Sequence, residues 1–293
     1  MRSASPQKLG NITCIIRSDA ILFWACSTAI IINHFLNITI ANHLSYLLLL
    51  NCAIGLPHGA SDYFWIKSQC RSTQKRILAC LGYLGIVAVA LSIWIMIPTI
   101  SLCLFLLLSA YHFGQDWQTQ SNSERLFFGS SVLSIPVTSD PASSLQLFHL
   151  VTLSNSDLHW LILLFKASYL IGMALTIKKI YQKNTQYLEV AALYGIGSLV
   201  SALTFFTIYF CSLHSIRHYQ QCVTSITMRK KDIIALSIII IGTFCLLAGV
   251  HSATELPPAS PQLAPFKSLF ILLFALTVPH CFIVQLANKN QTR

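Results

Sequence analysis

The chain has 293 residues, of which 55% are hydrophobic and only 10% are charged. Soluble domains carry roughly a quarter charged residues, so this composition excludes an ordinary soluble protein and favours a membrane protein. The net charge of +10 does not indicate nucleic-acid binding, because the basic residues lie in short tracts between apolar runs, as the positive-inside rule expects. No long polar segment remains, and we expect a single integral membrane domain over residues 1–293.

Apolar runs of about 20 residues, the length that one helix needs to cross a bilayer, recur along the chain. We predict spans at about 20–41, 44–66, 77–95, 98–117, 157–177, 233–250 and 267–287. The region 126–152 holds Pro136 and Asp140, and it is predicted to be a broken or partly re-entrant span. The run 187–218 is longer than one span needs, so we divide it near 202–203. The predicted fold is an all-α, polytopic transmembrane helix bundle of about 8–10 spans.

Basic tracts set the predicted orientation, because cytoplasmic loops of membrane proteins carry an excess of Lys and Arg. We place both termini and all basic loops in the cytoplasm, with the protein in the cell (inner) membrane. The tracts are Arg2/Lys8/Arg17, Lys67/Arg71/Lys75/Arg76, Lys178/Lys179/Lys183, Arg229/Lys230/Lys231 and Lys289/Arg293. The proline-rich loop 255–261 then falls outside. This orientation requires an even number of crossings between the third and fourth tracts, which is why 187–218 is divided.

Two aspartates lie inside apolar runs, where ionisable groups are costly and usually mark function. Asp62 follows His58 by four residues, and Asp116 follows His112 by four residues. A spacing of four places the histidine and the aspartate on one face of a helix, one turn apart. The repeated pattern predicts that both pairs belong to one functional site.

Further histidines occur in the later spans. His214 and His218 are again four residues apart, so both imidazoles project from one helix face. His280 follows Pro279 in the last span. In the predicted topology all the spans that carry these histidines and the two earlier ones run towards the cytoplasm, so five imidazoles from four helices reach a similar depth. We expect the neighbouring Arg217 to extend to the cytoplasmic surface.

The chemistry follows from the type of ligand. Neutral imidazole suits Fe, Zn, Cu and Ni, and a neutral ligand set leaves a divalent ion with its full charge. Asp62 and Asp116 can balance that charge from behind the ligands by accepting hydrogen bonds from ring N–H groups. A six-coordinate iron with four histidine ligands keeps two positions for O₂ or substrate, whereas four-coordinate zinc would keep none. The pattern therefore favours iron and oxygen chemistry on a lipid-soluble substrate.

The motifs resemble, in the same order, those of the Brp/Blh family of membrane β-carotene 15,15'-dioxygenases. They are Pro57-His58-Gly59-Ala60-x-Asp62, His112-Phe113-Gly114-x-x-Asp116, His214-x-x-Arg217-His218 and Pro279-His280. The resemblance implies central cleavage of β-carotene, or a similar carotenoid, by O₂ to retinal, with non-haem Fe²⁺ held by His58, His112, His214 and His218. Retinal typically supplies a rhodopsin in such systems, a partner that this sequence does not itself indicate.

Several alternatives stay open at this point. His280 is a fifth ligand, a residue of the substrate pocket or a hydrogen-bonding residue between helices. Any single intramembrane histidine can serve in packing instead of metal binding. A di-iron lipid hydroxylase or desaturase would need about eight ligands, and only 214–218 has the form of its histidine boxes. A non-enzymatic metal-binding, haem-binding or transport protein is the other alternative. The remaining histidines are predicted not to be ligands: His34, His43, His149, His159 and His251.

Overall fold

The computed structural model describes residues 21–29, 31, 32, 36, 43–70, 72–117, 121–152, 157–224, 230–254 and 262–291. All regular structure within these ranges is helical, which confirms the predicted all-α class. Among the described residues, four helices are long and apolar enough to cross a membrane: Thr73–Met96, His159–Tyr181, Lys230–Ala253 and Ala264–Leu286. The chain is therefore a helical membrane protein. The predicted N-terminal basic tract and the proline-rich loop 255–261 lie outside the described residues.

In the described part of the chain, ten helical units follow a helical stretch at 21–29. Helix α1 is irregular and comprises His43–Leu50, a π-helical turn at Asn51–Gly55, Leu56–His58, a 3₁₀ turn at Gly59–Ser61 and Asp62–Gln69. Then come α2 (Thr73–Met96), α3 (Pro98–Phe113, continued by a 3₁₀ turn at Gly114–Asp116), α4 (Asn122–Ser139), α5 (Pro141–Thr152), α6 (His159–Tyr181) and α7 (Tyr187–Gly197). Helix α8 comprises Ala202–Ile208, a second π-helical turn at Tyr209–His214 and Ser215–Thr224. The last helices are α9 (Lys230–Ala253) and α10 (Ala264–Gln291).

The breaks between helices have local causes in the sequence. Ile97 and Asp140 each precede a proline, and both have left the α-helical region, with ψ of 64° and 72° respectively. A proline disfavours the helical conformation of the residue before it, so the region 126–152 divides into α4 and α5 at Asp140. The run 187–218 divides at 198–201, beside the predicted point, where the Ser201 side chain caps the first turn of α8 by accepting from the Thr204 N–H.

Helices α3, α4 and α6 pack closely because small residues lie at their contacts. A Cβ atom built on Gly129 of α4 would lie 1.6 Å from the carbonyl oxygen of Ala110 on α3. A Cβ atom on Gly172 of α6 would lie 2.1 Å from the Ser131 hydroxyl oxygen. Small residues let the backbones of membrane helices approach in this way. The outer face of α9, by contrast, exposes a row of isoleucines, as expected for a surface in contact with lipid: Ile233, Ile234, Ile238 and Ile241.

Candidate metal centre

Five histidine rings from four helices converge at one end of the bundle. His58 comes from α1, His112 from the end of α3, His214 and His218 from α8, and His280 from α10. Seven pairs of these rings have centroids between 4.6 and 6.1 Å apart. His58 is half-buried and the other four are buried. The structure therefore brings together all the histidines that the sequence analysis had singled out.

Two π-helical turns lie next to each other in the helices that carry the site histidines. One lies in α1 before His58, and the other lies in α8 and ends at His214. Asn51 begins the turn in α1, and its buried amide donates to the Thr207 hydroxyl at 2.7 Å, directly before the turn in α8. The same amide donates to the Leu47 carbonyl at 2.8 Å. A π-helical turn inserts one extra residue and rotates the side chains that follow, and such turns are frequent at functional sites. Here they precede His58 and His218.

The His58 ring is oriented by the backbone of its own helix. The Gly59 N–H donates to the Leu56 carbonyl instead of the Gly55 carbonyl that a regular α-helix would use. The Gly55 carbonyl instead accepts a hydrogen bond from His58 Nδ1. Nε2 of this ring is therefore left to face the cluster. Gly55 must stay small, because a Cβ atom there would lie 2.5 Å from the Phe210 ring.

Asp116 lies behind the ring of His214. Its carboxylate accepts from His214 Nδ1 at 3.0 Å and from the Tyr209 hydroxyl at 2.6 Å. Its backbone carbonyl accepts from Arg217 Nη1 at 3.0 Å. The three contacts hold the aspartate in place, and the carboxylate fixes the proton of His214 on Nδ1 so that Nε2 is left as a free electron-pair donor.

Asp62 has the same relation to His280. Its carboxylate accepts from His280 Nδ1 at 2.7 Å and from the Tyr83 hydroxyl at 3.0 Å. Each aspartate therefore bonds to a histidine from a distant helix, and not to the histidine four residues before it. His280 consequently has a tyrosine and an aspartate behind its ring, as His214 has.

Three buried ring nitrogens of the cluster, His112 Nδ1, His214 Nε2 and His218 Nε2, have no hydrogen-bond partner among the described residues. Nε2 of His112 lies 3.1 Å from Nε2 of His280. One nitrogen of each of His58, His112 and His280 lies within 4.8 Å of the others. Buried polar atoms are rarely left unpaired, and imidazole donors at this separation fit a divalent transition-metal ion.

The prediction that Arg217 reaches the cytoplasmic surface is wrong. Arg217 is buried, and its Nη2 donates to the Glu189 carboxylate at 2.6 Å. A buried arginine needs an opposite charge, and the acid on α7 supplies one inside the protein. Glu189 lies in an apolar run and was missed, although the rule that singled out Asp62 applies to it equally.

The histidines that we predicted not to be ligands lie apart from the cluster where they are described. His159 is exposed and pairs with Asp157 at 2.8 Å, and His251 bonds to the Ser268 hydroxyl at 3.1 Å. His149 lies on α5, which carries none of the five clustered rings. His34 and the side chain of His43 lie outside the described residues.

One small space touches the histidines, and a larger one lies next to it. A hollow of about 20 Å³ is lined by four of the five clustered histidines and by aromatic and small side chains. A space of this size is enough for one water-sized molecule. Beside it lies an apolar cavity of about 100 Å³. The site thus combines nitrogen donors, room for a small molecule and an apolar compartment.

The sequence model of the beta-carotene 15,15'-dioxygenase family matches residues 49–288, which include all five clustered histidines and both aspartates. A beta-carotene 15,15'-dioxygenase from the uncultured marine bacterium 66A03 is 29% identical over 246 residues, covering 79% of this chain and 89% of that relative. No solved structure matches this chain significantly. Because the family match extends over most of the chain and over the whole site, the protein belongs to the beta-carotene 15,15'-dioxygenase family.

Proposed function

We propose that this protein is an iron-dependent dioxygenase that cleaves β-carotene, or a closely similar carotenoid, at its central double bond to give two molecules of retinal. The observation that carries the proposal is the convergence of five histidine rings beside an apolar cavity, within a chain of this family. In the overall reaction the C=C bond is broken, two C=O bonds form, and each product receives one atom of O₂.

The proposed ligands are His58, His112, His214 and His218, with His280 as a fifth. Two contacts support the inclusion of His280. Its Nε2 lies 3.1 Å from Nε2 of His112, and its Nδ1 donates to the Asp62 carboxylate. Iron is favoured over zinc because a five-histidine set exceeds the four ligands of a structural zinc site and six-coordinate iron still has an open position. When bound there, Fe²⁺ would supply the binding and activation of O₂.

The remaining residues hold the reactants and exclude water. Asp116 and Asp62 keep the protons of His214 and His280 on Nδ1, so that the opposite nitrogens point into the site. The hollow beside the rings has the volume of one small molecule such as O₂. Phe105 and Phe206 line both the hollow and the cavity. Their apolar surfaces keep water from the reactive species, which a water-excluded site protects from side reactions.

A di-iron enzyme is not favoured by this arrangement. The five clustered histidines are fewer than the ligands that a di-iron site of the hydroxylase type would need, which number about eight. One iron per chain is therefore expected when the purified protein is analysed for metal.

The test is expression in cells that make β-carotene, with retinal measured by chromatography. The unmodified protein is expected to bleach the carotene and produce retinal, and His112→Ala is expected to abolish both. His159→Ala is the matched control, because His159 is exposed and outside the cluster, and it should behave like the unmodified protein. Equal retinal formation by His112→Ala would overturn the site assignment, and absence of any apocarotenal from the iron-loaded protein would overturn the substrate.

We also propose that the whole chain acts as one multi-pass domain of the cell (inner) membrane, with both termini and the histidine end of the bundle at the cytoplasmic side. Lys67 at the end of α1 pairs with Asp232 at the start of α9. Lys179 at the end of α6 pairs with Glu124 at the start of α4, at 2.6 Å. Basic residues thus collect at helix ends on the side of the site, as the positive-inside rule expects. A reporter that is active only in the cytoplasm, fused after residue 293, should be active, and an inactive fusion would reverse the orientation.

A further inference from the structure

A buried ion pair connects α7 to the turn that carries Asp116. Arg217 Nη2 donates to the Glu189 carboxylate at 2.6 Å, and the two side chains are only 10% and 8% exposed. The other terminal nitrogen of the arginine, Nη1, donates to the backbone carbonyl of Asp116 at 3.0 Å. A guanidinium group is planar and holds its donors in fixed directions. The two contacts therefore fix the position of Asp116 relative to the Glu189 carboxylate.

Arg217 lies among the histidines of the site along the chain. It stands between His214 and His218 on α8. The residue that it holds, Asp116, ends the 3₁₀ turn that continues α3 after His112. The last carbonyl groups of a helix have no partner within that helix, so Arg217 caps this end of α3. One guanidinium group thus joins two helices that together carry three of the five clustered histidines.

Glu189 is held in place by the start of α7. It lies in the first turn of that helix, where the helix dipole stabilises a negative charge. Tyr187, two residues earlier, is fully buried, and its ring packs against Phe128 of α4 with a centroid distance of 4.7 Å. Helix α7 also packs against α6. Glu189 is therefore anchored in a part of the bundle that carries none of the clustered histidines, and it restrains Arg217 from outside α3 and α8.

We propose that Glu189 is a positioning residue of the metal centre, which acts through Arg217 and Asp116 on the ring of His214. This inference rests on the proposed function and adds a residue that does not itself touch the metal or the substrate. The Asp116 carboxylate accepts from His214 Nδ1 at 3.0 Å, so a shift of Asp116 turns the imidazole and moves its Nε2. Ligands must be held within about 0.5 Å of their productive positions. Loss of the Glu189 charge loosens the guanidinium group and, with it, the turn that ends at Asp116.

A second effect of Glu189 is electrostatic and acts in the same direction. Arg217 carries a positive charge close to the histidines that are to bind a cation, and like charges repel more strongly in a buried, low-dielectric surrounding than in water. The negative charge of Glu189 offsets this repulsion, so both effects of its removal weaken the affinity for a divalent ion. A purely structural ion pair would instead lower the stability of the fold and leave the metal affinity of the folded protein unchanged.

Glu189→Gln keeps the shape of the side chain and removes its charge. The metal-free protein in detergent is titrated anaerobically with Fe²⁺, and with Co²⁺, whose visible absorption bands report the arrangement of its ligands. The variant should raise the Kd for both ions by about 10-fold, the lower end of the effect of groups behind ligand histidines, and should shift the Co²⁺ bands. Asp232→Asn is the matched control, because it also removes the buried acid of an ion pair, on a helix that carries none of the clustered histidines. Its Kd and its bands should equal those of the unmodified protein.

Two further variants identify the route from Glu189 to the metal site. Arg217→Lys keeps the positive charge but lacks the planar fork that reaches both partners, so it should also raise the Kd, and it carries the test if Glu189→Gln does not fold. In the double variant Glu189→Gln/Asp116→Asn the Kd should rise by less than the product of the two single factors, because both changes act on His214 and neighbouring sites of one network are not additive.

An unchanged Kd in folded Glu189→Gln or, where that variant does not fold, in Arg217→Lys would overturn the positioning role. A Kd in the double variant that equals the full product of the two factors would overturn the route through Asp116. Either result leaves the proposed function intact when the unmodified protein binds iron and forms retinal. If the iron-loaded unmodified protein forms no apocarotenal, the proposed function itself fails, whereas the metal titrations still decide the role of Glu189.

Discussion

Replacing Asp116 or Asp62 with asparagine tests whether His280 binds the metal in the same way as His214. The side chains of the two aspartates are only 8% and 4% exposed, and each accepts from a histidine Nδ1, at 3.0 Å and 2.7 Å respectively. Asparagine keeps the shape of the side chain but removes the negative charge that fixes the imidazole proton on Nδ1. Loss of such a partner behind a ligand histidine weakens metal binding by about 10–100-fold, which corresponds to about 1.4–2.7 kcal/mol.

The assay is an anaerobic titration of the metal-free protein in detergent with Fe²⁺, or with Co²⁺ as a spectroscopic substitute. If both histidines are ligands, Asp116→Asn and Asp62→Asn should raise the Kd by similar factors. Asp232→Asn is the control, because Asp232 is a buried acid that pairs with Lys67 instead of a histidine, and its Kd should stay unchanged. An unchanged Kd in Asp116→Asn would refute the role given to the carboxylates. A change in Asp116→Asn alone would remove His280 from the ligand set.

Three further predictions concern helix packing, the buried ion pair and the metal. Gly129→Ala should lower the free energy of unfolding in detergent by about 1–3 kcal/mol or more, because its Cβ would collide with the Ala110 carbonyl. Gly85→Ala, on an open helix face, is the control and should be neutral or stabilising by about 0.5–1 kcal/mol. Equal unfolding temperatures of the two variants would contradict this prediction. Arg217→Met should cost about 3–5 kcal/mol because it leaves the Glu189 charge buried and unpaired, and Glu189→Gln added to it should restore part of the loss; thermal unfolding of the single and double variants would show no such recovery if the pair were unimportant. Chelation should stop retinal formation, and Fe²⁺ but not Zn²⁺ should restore it in a chromatographic assay, so that recovery with Zn²⁺ would exclude the proposed oxygen chemistry.

The elements of the fold that have local causes could be predicted from the sequence. Apolar runs predicted the helices, and the residues before Pro98 and Pro141 mark the two breaks as proline requires. The histidines were recognisable because polar groups inside apolar runs are rare. The spacing of four between His58 and Asp62 predicted a shared helix face, and that rule concerns only neighbours on one helix.

The partners of these groups depend on how distant helices pack, and no local pattern carries that information. Asp62 bonds to His280, which is more than two hundred positions away in sequence, and Tyr83 joins them from a third helix. The π-helical turn at Asn51–Gly55 also has no compositional signature, although the polar Asn51 in an apolar run marks its start. Because the turn rotates every later side chain of α1, the direction of His58 could not be obtained from an ideal helix.

The distribution of the five histidines along the chain has a consequence for the biogenesis of the protein. His58 and His112 enter the membrane early in translation, but His280 is carried by the last helix. Membrane helices are inserted in the order of synthesis, and domains fold from the N-terminus as the chain emerges. The early histidines alone supply only two imidazoles, so we expect an unfinished chain to retain iron poorly. Loading of the metal would then report completion of the protein, and an incompletely inserted chain would be unable to activate oxygen among unprotected lipids.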